Sequence, residues 1–173
     1  MFLNDGPVSD PMILVRPFQA GDEAAFRALN KQWIEMHFAI ESKDEITFAD
    51  PQKVIIEPGG QILVATSEGR ILGCCALLRI SEHEFEVAKM AVAARHQGRG
   101  IGRRLLSAAI DEARKLGASR LYLETNQILK PAIALYESLG FQPIDPARIN
   151  PSPYARADVY MELFLNEQTS LGN

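Results

Sequence analysis

Residues 95 to 106 read RHQGRGIGRRLL. Gly98, Gly100 and Gly102 alternate with other residues, and Arg95, Arg99, Arg103 and Arg104 surround them. An apolar, helix-like run begins at Ile101. Glycine admits positive φ and lets the backbone come close to a ligand. Successive N–H groups in such a turn can point into one concavity, and the following helix N-terminus adds about half a positive charge. The chemistry on offer is recognition of a phosphate-bearing anion. Spacing rejects two familiar loops. The dinucleotide pattern G-x-G-x-x-G meets Arg103 at its third glycine, and the triphosphate loop ends G-K-[ST] where this one ends G-R-R.

The loop stands on an acidic background. The formal net charge is −4, so no global basic field points to nucleic acid, and a small anionic ligand suits the local arginines better than a polyanion. A 47% hydrophobic and 23% charged composition is that of a soluble globular chain, and 173 residues fit one domain. The only cysteines, Cys74 and Cys75, are adjacent in an apolar run. They read as small core residues in a reducing compartment. The three histidines are scattered without metal-ligand spacing, so no metal site is expected. MFLNDGPVSD does not read as a secretory signal, and no apolar stretch approaches the roughly 20 residues that span a bilayer. The expected location is cytoplasmic, with no membrane partner.

The elements that must position the loop can be read in order. A flexible lead-in is expected over residues 1–11, a single domain over 12–165 and a polar tail over 166–173. Met12 to Arg16 reads as a strand, and Asp22 as the N-cap of a helix carrying Phe26, Leu29 and Trp33 on one face. Residues 37 to 49 show no clear period. Asp50-Pro51 opens a short helix that Pro58-Gly59-Gly60 closes. Three strands follow as a meander: Gln61 to Ser67, Arg70 to Ile80 after a tight Glu68-Gly69 turn, and Phe85 to Val92. Beyond the loop come a helix over Ile101 to Leu116, a strand over Arg120 to Thr125 and a helix over Pro131 to Leu139. Strands at Phe141 to Ile144 and Val159 to Leu165 flank a proline-rich loop. The order β-α-α-β-β-β-α-β-α-β-β implies a mixed sheet with helices on both faces.

R-x-x-G-x-G, present as Arg95 to Gly100, resembles the acyl-CoA pyrophosphate loop of the GNAT superfamily of N-acyltransferases. FEVAKMAV before it is similar to that family's central strand. AIALYESLGF, residues 132 to 141, is similar to its second motif, a helix with a tyrosine that ends in G-F. The element order agrees from about residue 12 to 165. The resemblance implies an α/β fold whose twisted, mostly antiparallel sheet is splayed into a V, with helices on both faces. It implies acetyl-CoA as acyl donor, with the amides of Gln97, Gly98, Arg99, Gly100, Ile101, Gly102 and Arg103 around the pyrophosphate. Met90, Ala91 and Val92 would pair with the pantetheine arm and polarise the thioester carbonyl.

Tyr136 matches the family's general acid, which protonates the departing thiolate, and also counts among the cofactor contacts. Glu86, four residues before Met90, stands where some members carry a general base. On a regular strand Glu86, Ala88, Met90 and Val92 share one face. Glu82, His83 and Glu84 compete with Glu86 for that role. Where many members carry an asparagine seven residues before the tyrosine this chain has Leu129, and Asn126 is the candidate substitute.

The implied reaction is direct transfer of an acetyl group to a primary amine in a ternary complex. A non-catalytic acyl-CoA sensor is the alternative. The acceptor pocket would draw on Trp33, Glu35, His37, Glu41, Asp44 and residues 152 to 156. In this reading Trp33 is a core residue, Glu41 and Asp44 sit at a solvated helix end, and Arg156 can hold a substrate carboxylate. Small amine, amino acid and peptide all stay open as acceptors, and so does a homodimer.

Overall fold

The computed structural model describes residues 11–165. The expected lead-in, all but its last residue, and the expected tail lie outside the described residues. Among the described residues seven strands form one sheet in the order β1-β2-β3-β4-β5-β7-β6. They are β1 (Leu14–Pro17), β2 (Gln61–Ser67), β3 (Arg70–Arg79), β4 (Glu84–Val92), β5 (Arg120–Thr125), β6 (Gln142–Pro143) and β7 (Val159–Phe164). All neighbours are antiparallel except β4 and β5. Four helices cover the sheet: α1 (Glu23–Glu35), α2 (Ser42–Ala49), α3 (Ile101–Lys115) and α4 (Lys130–Ser138). Among the described residues no helix is long and apolar enough to cross a membrane.

Each face of the sheet has its own core. On one face α3 buries Leu105, Leu106, Ala109, Ile110 and Ala113 against Leu77, Phe85, Leu121 and Leu123. Helix α4 adds Tyr136 to that core. On the other face Phe26 and Phe48, their rings edge to face at 6.1 Å, pack with Ile62, Val64, Cys74, Ala76 and Ala91. Cys74 and Cys75 are both buried and unbridged, one in each core.

The unassigned stretch 37 to 49 holds α2. Its capping box runs Glu41-to-Asp44, with the Asp44 carboxylate accepting from the Glu41 amide at 2.9 Å. Carboxylates stand at both ends of that box in place of the usual Ser or Thr start, so the signature was absent from the sequence. The helix expected after Pro51 is a five-residue π-helical turn, Gln52–Ile56. Asp22 does stand before α1, but its side chain does not cap the helix. It accepts instead from Arg16 at 2.7 and 3.0 Å and from the Gln19 amide at 2.9 Å.

Strand β4 is irregular at the point that matters. Cys74 pairs with Ala91 and Ala76 with Ala88, so Cys75 faces the two residues Lys89 and Met90. This is a β-bulge, with Lys89 in the left-handed region at φ 51°. An extra residue reverses the parity of the strand. Phe85 and Val87 before the bulge join the α3 core, and so do Met90 and Val92 after it. Ala91 joins the opposite core. The expectation that Glu86 shares a face with Met90 and Val92 is therefore corrected: Glu86 lies on the α1 side and Met90 on the α3 side. The parallel pairing of β4 with β5 stops at Glu86↔Tyr122. Beyond that rung the two strands part, which gives the sheet its V.

Candidate active site

Two cavities meet in the gap between β4 and β5. The larger, about 620 Å³, runs from Met90, Ala91 and Val92 across Gln97, Gly98, Gly100, Ile101, Gly102 and Arg103 to α4. The smaller, about 110 Å³, lies toward α1 and the loop before β7, among Glu86, Lys89, Glu124, Thr125, Asn126, Tyr154 and Arg156. Trp33, Met90, Leu129 and Tyr136 line both. The Trp33 reading is corrected accordingly. Its ring packs on the α1 core with one part and walls both cavities with the other.

The glycine loop is built as its sequence suggests at two of three positions. Gly98 and Gly100 take left-handed φ of 77° and 78°. Gly102 does not: it sits in the first turn of α3, where a Cβ would meet only Leu135 Cδ2 at 3.5 Å. The N-cap of α3 is Gly100, which offers no side chain to the first-turn amides, and no acidic residue stands in that turn. Uncapped amides at a helix N-terminus facing a cavity form a phosphate cradle, so these residues fit a CoA pyrophosphate. The arginines are less uniform. Arg103 donates to Ser138 Oγ at 2.8 Å, and Arg104 to the Ile13 carbonyl at 3.0 Å. Arg99 lies 2.8 Å from His96 Nδ1 and does not line the larger cavity.

The parted edge of β4, from Val87 to Val92, has no strand partner on its β5 side among the described residues. An extended amide-bearing chain could pair there. On that edge Gln97 Nε2 donates to the Val92 carbonyl at 3.3 Å. Asn126 lies elsewhere. It lines the smaller cavity, donates to the Arg156 carbonyl at 2.7 Å and accepts from the Ile128 amide at 3.0 Å. Its side chain thus ties the loop before β7 to the end of β5.

Tyr136 projects from α4 with its ring 6.0 Å from that of Phe141. It is 9% exposed, and its hydroxyl has no hydrogen-bond partner among the described residues. Burial, reinforced by Cys75, pushes the phenol above its ordinary range, so it keeps its proton at neutral pH. Glu86 is half-buried on the other side of the gap. Burial, then the charge of Glu124, raises its carboxyl to about 7, against the opposing pull of Lys89 and Lys43. A carboxylate with that value takes up protons near neutral pH. Glu82, His83 and Glu84 line neither cavity.

The acceptor side is more heavily bonded than its sequence suggests. Asp44 is fully buried and not a solvated helix end. Lys89 Nζ meets its Oδ1 at 2.8 Å, and Arg156 grips both its oxygens at 2.8 and 2.7 Å. Burial pushes the Asp44 carboxyl up, but the hydrogen bonds from Arg156 and Lys89 outweigh it and hold it at about 2. Glu41 adds a contact to Arg156 at 3.1 Å and accepts the Ala155 amide. The Tyr154 ring packs against both cations, 4.7 Å from Lys89 Nζ and 4.5 Å from Arg156 Cζ. The reading of Arg156 as a holder of substrate carboxylate is corrected, because the protein's own carboxylates occupy it.

Two participants were not singled out from the sequence. Lys89 could have been found: the apolar positions Phe85 and Val87 give way to Met90 and Val92, a parity switch that marks a bulge. Glu124 could not, since only the fold sets β5 beside β4.

The family model for the acetyltransferase (GNAT) family matches residues 23–141, and the chain belongs to that family. An uncharacterized N-acetyltransferase of Escherichia coli (strain K12), YjgM, is 31% identical over 142 residues, covering 78% of this chain and 84% of the relative. Among solved structures, a GNAT-family acetyltransferase from Staphylococcus aureus superposes with a TM-score of 0.81 at 18% identity, covering 90% of this chain and all of that one. A putative acetyltransferase from Salmonella typhimurium, solved with its cofactor acetyl-CoA, superposes at 0.70 with 23% identity, covering 91% and 96%. The N-acetyltransferase relatives make the chain an acyltransferase, and the family's acyl donor is acetyl-CoA.

Proposed function

We propose that this protein is an N-acetyltransferase that moves an acetyl group from acetyl-CoA to a primary amine by direct transfer in a ternary complex. The observation that carries the reading is the position of Tyr136 and Met90. Both stand where the glycine-loop cavity meets the carboxylate-lined one, so a donor in the first and an acceptor in the second would touch there.

Bound acetyl-CoA supplies an activated thioester. The amides from Gln97 to Arg103 hold the donor's pyrophosphate, and the open edge of β4 aligns its arm. An amide near Met90 to Val92 polarises the carbonyl. Glu86 removes a proton from the incoming ammonium, directly or through water, because only the neutral amine is a nucleophile. The amine nitrogen bonds to the acyl carbon and sheds its second proton to water, the carbon–sulfur bond breaks, and Tyr136 gives its proton to the leaving sulfur. Tyr136 regains a proton from solvent, and Glu86 returns its own.

The test is a melting curve with millimolar acetyl-CoA, combined with free-thiol release over a panel of amines. Stabilisation by mass action with acetylated product supports the reading. Stabilisation without product from any amine favours the acyl-CoA sensor, and no stabilisation removes both.

A further inference from the structure

The charges of the smaller cavity do not cancel. Lys89 and Arg156 are the cations in its wall, and both are spent on Asp44 and Glu41. Exposed Lys43 adds one more positive group, 6.0 Å from the Tyr154 ring centre. Set against these are Glu86 and Glu124. Glu86 pairs in register with Tyr122, and Glu124 is two residues along β5 on the same face as Tyr122. The two carboxylates are therefore diagonal neighbours across the last paired rung. Tyr122 donates its hydroxyl to Glu124 Oε1 at 2.8 Å, and Ser152 donates to Oε2. Those two hydroxyls aim Glu124, while Glu86 has no hydrogen-bond donor among the described residues.

We infer that Glu124 is a specificity-determining residue, and that with Glu86 it selects a small cationic amine on an unbranched carbon with no carboxylate beside the nitrogen. The inference rests on the acyl-transfer reading above. Glu124 holds the ammonium, and Glu86 takes the proton. A carboxylate on the neighbouring carbon would lie against two like charges and find both wall cations already paired, with Lys43 on the exposed surface outside the cavity lining. Trp33 and Phe38 form the apolar wall and suit a hydrocarbon or aromatic body. At about 110 Å³ the cavity is smaller than the ~150 Å³ that encloses a benzene, so it takes the amine head and first carbons while the body rests at the mouth.

The experiment compares acetyl transfer to 2-phenylethylamine, phenylalanine amide and phenylalanine, within a wider amine panel. The expected kcat/KM for 2-phenylethylamine exceeds that for phenylalanine by at least ~10-fold, one like-charge contact's worth. Phenylalanine amide falls between them. Glu124→Gln is nearly isosteric, and its folding is checked by its melting curve. It should raise the KM for 2-phenylethylamine at least ~5-fold, with less effect on kcat, and narrow the gap to phenylalanine. Phenylalanine used as well as the amine overturns the inference, and so does Glu124→Gln with its KM unchanged. Turnover confined to other amines in the panel also overturns it but leaves the transferase reading standing. No transfer to any amine overturns both.

Discussion

Lys89 Nζ lies 2.8 Å from Asp44 Oδ1, and neither side chain is more than 7% exposed. The pair joins the bulge of β4 to the first turn of α2, with Arg156 from the loop before β7 on the other side of the same carboxylate. A left-handed lysine costs about 1–2 kcal/mol. The ion pair is what makes that conformation worth keeping. Arg156 still holds both Asp44 oxygens when Lys89 is removed, so Lys89→Met should destabilise the protein by about 2 kcal/mol, the worth of one charged hydrogen bond and less than stranding a buried charge costs. Urea denaturation at pH 7 reads the loss.

Asp44 also sets an acid limb of stability. Its carboxyl is held at about 2 in the folded protein, below its ordinary value near 4. A depressed folded value means the stabilisation is complete above the unfolded pKa and is lost as pH falls through the folded one. The window is therefore roughly pH 4 down to 2. Wild type should lose stability steeply there. Asp44→Asn, less stable at pH 7, should show a shallower slope across the same window in denaturation midpoints.

These pairs also show where sequence reading stops. The strand order and helices α1, α3 and α4 were legible because Phe85, Val87, Leu105, Leu106 and Leu121 keep clean periods and glycines mark the loop and the helix ends, whereas α2 has no such period. The glycine loop was legible because it is one contiguous stretch, and its left-handed turns at Gly98 and Gly100 need only glycine and a helix start. The acceptor side is assembled from α1, α2, β4, β5 and the loop before β7. Asp44, Lys89, Glu124 and Arg156 are far apart in the chain, and nothing local says that they meet. The bulge had the further effect of turning Glu86 away from the face that strict alternation assigns it.

Gly100 tests the cradle. No heavy atom lies within 4 Å of a Cβ placed there, so alanine fits the space and suffers only from φ 78°. Gly100→Ala should cost about 1–2 kcal/mol of stability. It should also raise the KM for acetyl-CoA by about tenfold, if a similar energy is lost from the bound loop. Denaturation and initial rates at varied acetyl-CoA measure the two effects.

Glu86 predicts a pH profile. As a base it must be deprotonated, and its carboxyl is raised to about 7. The kcat/KM of wild type should therefore rise through pH 7 and level off above it. Glu86→Gln should lower the rate by about 10²-fold and remove that limb. The same raised value means wild type loses stability as pH climbs from the ordinary carboxyl range through 7, since the folded state resists ionisation that the unfolded state permits. Glu86→Gln should accordingly be more stable than wild type at pH 8.

The most direct test of the account is acetyl transfer itself, followed as thiol release and acetylated amine by mass in wild type and Tyr136→Phe. The Tyr136 hydroxyl has no protein partner among the described residues, so the variant should fold and bind acetyl-CoA as wild type does. The account predicts one acetylated amine per thiol released by wild type. It predicts a kcat about 10²-fold lower in Tyr136→Phe, with the KM for acetyl-CoA within about threefold. Equal kcat in the two proteins, or thiol release without acetylated amine, would contradict it.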